Sequence, residues 1–474
     1  MCGICGIWNL NRRPVAPDEI HAMANALAHR GPDGEGYYLD GPLALGHRRL
    51  SILDLTPTGN QPMDYANGRY WITYNGEIYN FLELRAELEQ QGYAFRSESD
   101  TEVILAAYAA WGPDCLLRFN GMWALAIWDS LEKRLFLARD RFGIKPLYYL
   151  HRPDLFAFAS EMKAFLRLAG FVSRANLPVL KAELLDVHSQ EGGEDCLLEE
   201  VHRLLPGSYL QVDADGQLRT HKWWHTRDHL PDVPDRFEDQ VEHFRLLFED
   251  ACRLRLRSDV PIATCLSGGI DSSAVVCTVA EVAKQGTARI APGWQRAFVA
   301  TFPGASTDER RFAEAVVQKT GIVPIIQEIR VEDALPYTED TVFHLEEIYT
   351  TPLWPLWLLY RRLRQEHTIV TLDGHGGDEL LAGYDHYVIA ALYDAGSRHG
   401  SPSRYLQLLH TYAAMRAGGA DVQQWRGLAD LLWDTASPLR FLRRLLHRTG
   451  LLGMRRLPDL AASWMRAELE QMPC

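Results

Sequence analysis

The sequence predicts an α/β and α+β protein of two domains. Residues 1–222 read as stacked sheets with covering helices, and residues 237–474 as a parallel sheet with helices on its faces, followed by a helical tail. Three observations predict this. A chain of 474 residues is too long for one ordinary core. Its first part alternates short strand patterns with Gly, Pro and Asn turns, and its second part alternates strand and helix patterns as far as residue 373. At 47% hydrophobic and 23% charged residues, neither disorder nor a fibrous repeat is suggested.

In the first part, residues 70–74 and 135–138 are strands, while residues 16–29, entered through Pro17, and 81–91 are amphipathic helices. Residues 223–236, with Pro231, Pro234 and several charges, form the expected linker. Phe237, Val241, Phe244, Phe248 and Ala251 then recur at helical spacing, which predicts a helix to about residue 257. Strands are expected at 262–266, 297–302, 323–329 and 368–373, with helices at 273–283, 308–320 and 355–365 between them. Ligands of such sheets sit beyond the carboxyl ends of the strands, where the loops after Leu266 and Leu372 lie. From Asp385 the pattern is nearly all helical and rich in Leu and Arg, broken at 396–402, 418–419 and 437–438.

The net charge of −13 argues against nucleic acid as a partner. No apolar run reaches the roughly 18 residues that span a bilayer, and the first residues lack a signal-peptide layout, so no membrane partner is expected. A cytoplasmic enzyme acting on small molecules is the default. The eight cysteines are scattered, which favours reduced thiols. Cys2 and Cys5 make a CxxC, but no second pair or nearby His pair completes a zinc site.

Cys2 follows the initiator Met, and a small second residue permits Met removal. The freed α-amine, with a reference pKa of about 8, can then take the thiol proton and make Cys2 a nucleophile. Further segments supply what an amino-acid substrate needs. Arg49 offers a fork for an α-carboxylate, Asp100 a carboxylate for an α-ammonium, and Asn75 with Gly76 two neutral donors for a tetrahedral oxyanion. Singly, each has a plainer reading: Arg30 or Arg49 as an ion-pair partner, Asn75 and Gly76 as a hairpin turn, Asp100 as a helix N-cap.

The run MCGICGI, RGPD, RRLSILD, YNGEIYN, SDTEVIL and RDRFGIKPLYY resembles the class II glutamine amidotransferase domain of the glutamine-hydrolysing asparagine synthetases. The likeness covers about the first 210 residues, through ASEMKA and LLPGSYL. It implies the αββα sandwich of the N-terminal nucleophile hydrolases. By this resemblance Cys2 attacks the glutamine side-chain amide, Asn75 and the Gly76 N–H form the oxyanion hole, and Arg49 and Asp100 hold the α-groups with Glu77 nearby.

After the strand at 262–266, the loop of Ser267, Gly268, Gly269, Ile270, Asp271 and Ser272 lets backbone N–H groups face an anion at the start of a helix. It lacks the Lys of a P-loop, while Asp271 offers a carboxylate where a divalent metal could be held. The pattern resembles the pyrophosphate loop of ATP pyrophosphatases. DGHGGDELLAGY, beginning at Asp373, is similar to the second signature loop of the asparagine synthetase domain. The resemblance implies an ATP site at Leu266, Ser267, Gly268, Gly269, Asp271, Ser272, Ala300, Asp373 and Gly374, with Mg²⁺ shared by Asp271 and Asp378. It also implies a small carboxylate that is adenylated and then attacked by ammonia, most simply aspartate giving asparagine.

Two departures qualify it. His375 replaces a family Glu, in a loop reading DGHGGDE rather than SGEGSDE, and leaves the roles of His375 and Glu379 open. The ARVPFLD-like segment and lysine-bearing helix of the family are missing, and the last lysine is Lys319. The synthetase half is therefore expected to be incomplete, through truncation, through a second chain that supplies the rest, or through loss of the second reaction. A homodimer is left open. So are ring or amide formation on another carboxylate, as in β-lactam synthetases and lasso-peptide cyclases, and a regulatory subunit. Arg440, Arg443, Arg444, Arg448, Arg455 and Arg456 read as a solvated helical face.

Overall fold

The computed structural model describes residues 1–186, 188–190, 192–285, 293–305, 308–349, 353–395 and 403–409. Contacts divide the chain into two units: Met1–Gly269 with Val275–Leu372, and Ile270–Ala274 with the chain from Asp373 onward.

The first unit opens with strands β1 (Gly3–Asn9), β2 (Gly34–Asp40), β3 (Leu43–Arg49), β4 (Met63–Tyr65), β5 (Tyr70–Ile78), β6 (Gly121–Asp129), β7 (Arg134–Arg139), β8 (Tyr148–Arg152), β9 (Leu155–Ala159), β10 (Val201–Arg203), β11 (Ser208–Val212) and β12 (Leu218–Lys222). They form two antiparallel sheets, ordered β10-β8-β9-β1-β3-β2 and β12-β11-β7-β6-β5-β4. Ile4, Trp8, Leu43 and Leu45 of one sheet bury against Ala124, Trp128, Leu135 and Leu137 of the other. Helix α1 (Pro17–Ala26) covers the outer face of the first sheet through Ile20, Met23 and Ala24. Helices α2 (Phe81–Gln90) and α3 (Asp100–Trp111) cover the second through Phe81, Leu84, Leu88 and Ile104. The result is the expected αββα order. Every residue of β1 is buried because both faces are covered, which is why GICGIW shows no polar alternation.

Local chemistry moved some boundaries. Helix α1 ends at Ala26, short of residue 29, because Leu27, Ala28 and Arg30 donate to carbonyls three residues back. Asn75 and Gly76 are no hairpin turn: they lie within β5, opposite Ala124 and Trp123 of β6. Ser99, not Asp100, is the N-cap of α3, its hydroxyl accepting from the Thr101 N–H.

Strands β13 (Ile262–Cys265), β14 (Arg296–Thr301), β15 (Val323–Glu328) and β16 (Val370–Leu372) form the parallel sheet, in the order β15-β14-β13-β16. Ala297 and Val299 face Val276 and Ala313 on one side, while Ala263 and Phe298 face Leu359 and Leu363 on the other. The chain order reverses between β13 and β16, and the segments that follow these two strands leave from neighbouring carboxyl ends. Two helices, Leu177–Leu185 and Thr338–Leu345, were not separated by the sequence pattern. A helix does begin at Asp385 and runs to Ala395. The arginines at 440–456 and the breaks at 396–402, 418–419 and 437–438 lie outside the described residues. Among the described residues no helix is long and apolar enough to cross a membrane.

Candidate active site

Cys2 enters the first sheet one residue before β1 and lies beside the end of β3. Its Sγ accepts from the Leu50 N–H at 3.3 Å and lies 3.6 Å from the Leu50 carbonyl. Burial pushes the thiol pKa up, opposed by the Leu50 hydrogen bond, the neighbouring amine and the Arg30 charge. The Met1 amine is itself pushed down to about 5 by burial. The Cys2 carbonyl is held by Arg30 Nε at 2.8 Å. Cys5 faces the apolar layer beneath α1, where burial pushes its thiol up to about 12.

The end of β5 carries three of the expected residues. Asn75 is buried, and its Nδ2 has no hydrogen-bond partner among the described residues. At Gly76 a Cβ would stand 2.3 Å from the Met122 carbonyl and 2.8 Å from Trp123 Cα, so only glycine fits. The Glu77 carboxyl is pushed up by burial and by the Asp100 charge, and it acts in turn on Cys2. Asp100 begins α3. Its Oδ2 accepts from Tyr74 Oη and the Ile78 N–H, both at 2.9 Å, which ties α3 to β5. The Ser99 hydroxyl lies 3.5 Å from Oδ1, and the Thr101 N–H also bonds the carboxylate. Burial raises the Asp100 pKa to about 6 even though Ile78 and Tyr74 hydrogen-bond its carboxylate.

Arg49 ends β3 and is buried. Its Nη1 donates to the Thr56 carbonyl at 3.1 Å and to Asn60 Oδ1 at 2.8 Å, and its Nη2 to the Leu53 and Asp54 carbonyls. The loop at 53–60 thus locks the guanidinium rather than leaving it free.

Three more charged groups adjoin this centre. Lys145 is buried and pushed down to about 8 by desolvation, within reach of the Glu77 and Cys2 charges. Glu161 receives Arg30 Nη1 at 2.7 Å, His29 Nε2 at 2.9 Å and Lys163 Nζ at 2.6 Å. Their segments, RDRFGIKPLYY and ASEMKA, stood out in the sequence, but nothing there said which side chains turn inward.

In the second half, Leu266 and Ser267 follow β13, and Gly268 takes a φ of +97°. A Cβ on Gly268 would stand 2.8 Å from the Glu309 carbonyl, so the loop is pressed onto its neighbour. The Gly269 N–H donates to Ser267 Oγ at 3.1 Å. Ala300 lies in β14, opposite Gln327. Asp271 and Ser272 occupy the first turn of the helix Ile270–Gln285. In the second unit, a Cβ on Gly374 would meet the Ser272 N at 2.6 Å, and one on Gly377 would meet Asp271 Oδ2 at 2.2 Å. The loop carrying Asp373, Gly374 and Asp378 therefore lies directly against Asp271. Among the described residues no group of three His, Cys, Asp or Glu forms a ready metal cage. Two aspartates on touching segments fit Mg²⁺, which takes one or two carboxylates and leaves its other positions to phosphate and water. His375 Nδ1 lies 2.9 Å from Asp373 Oδ1, a contact that raises the imidazole pKa, and Glu379 accepts from Tyr384 Oη.

Comparison with known proteins gives the family. Residues 1–224 match the glutamine amidotransferase domain and residues 243–465 match asparagine synthase. Asparagine synthetase (glutamine-hydrolyzing) 1 of Bacillus subtilis is 35% identical over 82% of this chain, which spans 59% of that relative's length. A Methanocaldococcus jannaschii relative, provisionally named asparagine synthetase (glutamine-hydrolyzing) 2, is 33% identical, over 81% of this chain and 76% of its own length. Amidase chry2 of Gibberella zeae is 31% identical, over 81% of this chain and 60% of its own. With both halves matched in this order, the chain belongs to the glutamine-hydrolysing asparagine synthetase family.

Proposed function

We propose that the chain hydrolyses glutamine at Cys2 and passes the ammonia to a carboxylate activated by ATP, with aspartate as the acceptor and asparagine as the product. The observation that carries the first step is the buried, unfilled Asn75 Nδ2 next to the crowded Gly76, on the strand end whose Glu77 acts electrostatically on Cys2. A buried donor without a partner costs free energy until a ligand oxygen fills it, and a tetrahedral oxyanion fills it best.

With Met1 removed, the α-amine of Cys2 takes the thiol proton and Sγ attacks the glutamine amide carbon. The oxyanion is received by Asn75 and the Gly76 N–H. Ammonia leaves with a proton returned by the amine, and water then releases glutamate from the thioester. Asp100 pairs with the substrate ammonium, whereas Arg49, its Nη1 and Nη2 given to the 53–60 loop, does not present the open fork expected for the carboxylate.

In the second reaction the acceptor carboxylate attacks the α-phosphate of ATP, pyrophosphate leaves, and ammonia displaces AMP from the acyl-adenylate. Asp271 and Ser272 with the Asp373 loop contact the nucleotide, and Asp271 with Asp378 would hold Mg²⁺, which would spread the charge developing on pyrophosphate. Amide formation on a different carboxylate is the second reading, since not every relative at this level of identity is named an asparagine synthetase. Glutamate release from glutamine and pyrophosphate release from ATP, measured separately and with aspartate as the test acceptor, decide among these. Pyrophosphate release that ignores aspartate would remove it as acceptor.

A further inference from the structure

The helix Thr338–Leu345 ends on Glu346, whose φ of +57° is one that non-glycine residues rarely adopt. Its carboxylate explains why the conformation persists. It accepts from the backbone N–H groups of Met162 and Lys163, both at 2.6 Å, and lies 3.2 Å from Lys163 Nζ. Glu346 therefore caps the 3₁₀ turn Met162–Arg167, which lies more than 180 residues earlier in the chain. That turn follows directly on Glu161.

From there the hydrogen bonds run without a gap to the nucleophile. Lys163 Nζ lies 2.6 Å from Glu161, Glu161 lies 2.7 Å from Arg30 Nη1, and Arg30 Nε lies 2.8 Å from the Cys2 carbonyl. Charges alternate along the chain from Arg30 through Glu161 and Lys163 to Glu346. The side chains of these four are 7%, 8%, 7% and 12% exposed, so water does little to screen them. A parallel tie lies beside it, where Glu347 meets Arg203 at 2.9 Å and the Tyr148 hydroxyl at 3.4 Å. The His344 ring rests 4.5 Å from that of His29.

We propose that Glu346 is a positioning residue for glutamine hydrolysis: by capping the 162–163 turn and sharing Lys163 with Glu161, it fixes Arg30 and through it the Cys2 carbonyl. The helix Thr338–Leu345 thus belongs to the glutaminase machinery although it lies in the asparagine synthase half of the sequence. This rests on the reading of Cys2 as the glutamine nucleophile. Without Glu346, Lys163 keeps Glu161 as its carboxylate partner, beside the Phe343 ring 4.9 Å away, and draws Glu161 from Arg30, loosening the attack geometry more than the binding of glutamine.

The test uses the full chain with Met1 removed and compares E346A, E346Q, K163M and the double variant E346A/K163M. Near-ultraviolet circular dichroism confirms folding. In E346A, kcat for glutamate release falls about tenfold while KM stays within about twofold. E346Q, which keeps an acceptor for the turn but loses the charge, falls in the same direction and decides the matter if E346A does not fold. The double variant loses no more than about the larger single loss, as expected for partners in one network. Wild-type kcat in folded E346Q, or additive losses, would overturn the proposal. Iodoacetamide labelling of Cys2, followed on the N-terminal peptide, separates the two readings. If the wild type labels at Cys2 but releases no glutamate, the glutaminase reading fails, and a labelling rate equal in wild type and E346Q then overturns the positioning role as well.

Discussion

Asn75 Nδ2 is a buried amide with an open hydrogen bond, and its removal tests the oxyanion site directly. Asn75→Ala is expected to slow glutamine hydrolysis by roughly 10²–10³ through kcat, and an unchanged rate would take it out of the site. Asp100 sets a pH dependence. Its pKa, raised to about 6, means that the carboxylate needed to hold the glutamine ammonium forms as pH rises through about 6. Because Asp100 and Glu77 interact, this limb belongs to the pair. We expect kcat/KM for glutamine to climb over that range and level off above it, and a flat profile from pH 5 to 8 would count against the assignment. Asp100, Asn75 and Arg49 were legible as residue types in short motifs. Lys145, Glu161 and Lys163 were not, because a charged side chain reads as surface until packing shows it turned inward.

At the scale of elements, β5 carries the close packing and the 161–167 turn the charge. A methyl on Gly76 would press on the Met122 carbonyl of β6. Gly76→Ala should therefore cost about 1–3 kcal/mol of stability together with glutaminase activity, and a variant as stable as the wild type would show that the strands can part. Glu161 sets a different signature. Burial favours its neutral form, but His29, Arg30 and Lys163 together hold its pKa down to about 2, against an ordinary value of 4.5. The depressed value means that its stabilisation is present above the ordinary pKa and is lost as pH falls from about 5 through about 2. The shift corresponds to about 3 kcal/mol at neutral pH. Urea titrations of Glu161→Gln should lose this acid-sensitive part, and identical pH slopes for variant and wild type would refute it. The helices α1 and α2 were legible from their apolar spacing, and strands β13 to β15 from short apolar runs between turns. The helix Thr338–Leu345 was not, since a two-turn element with a mixed face has little period to read.

For the whole molecule, the proposed function divides the work between a nitrogen-releasing half and an adenylating half. Cys2→Ala should abolish glutamine use yet spare amidation driven by added ammonia, and equal loss of both would contradict the division. Asp271→Asn or Asp378→Asn should cripple pyrophosphate release while leaving glutamate release near wild type, and normal pyrophosphate release would exclude both as metal ligands. What the sequence determined by itself is the order of the two halves and the identity of their loops, because strand period, glycine placement and motif spacing are local properties written in consecutive residues. Which charges are buried, which buried amide lacks a partner among the described residues, and that Glu346 reaches back to the 162–163 turn were decided only by tertiary structure. Those facts depend on contacts between residues far apart in the chain, and no local pattern encodes them.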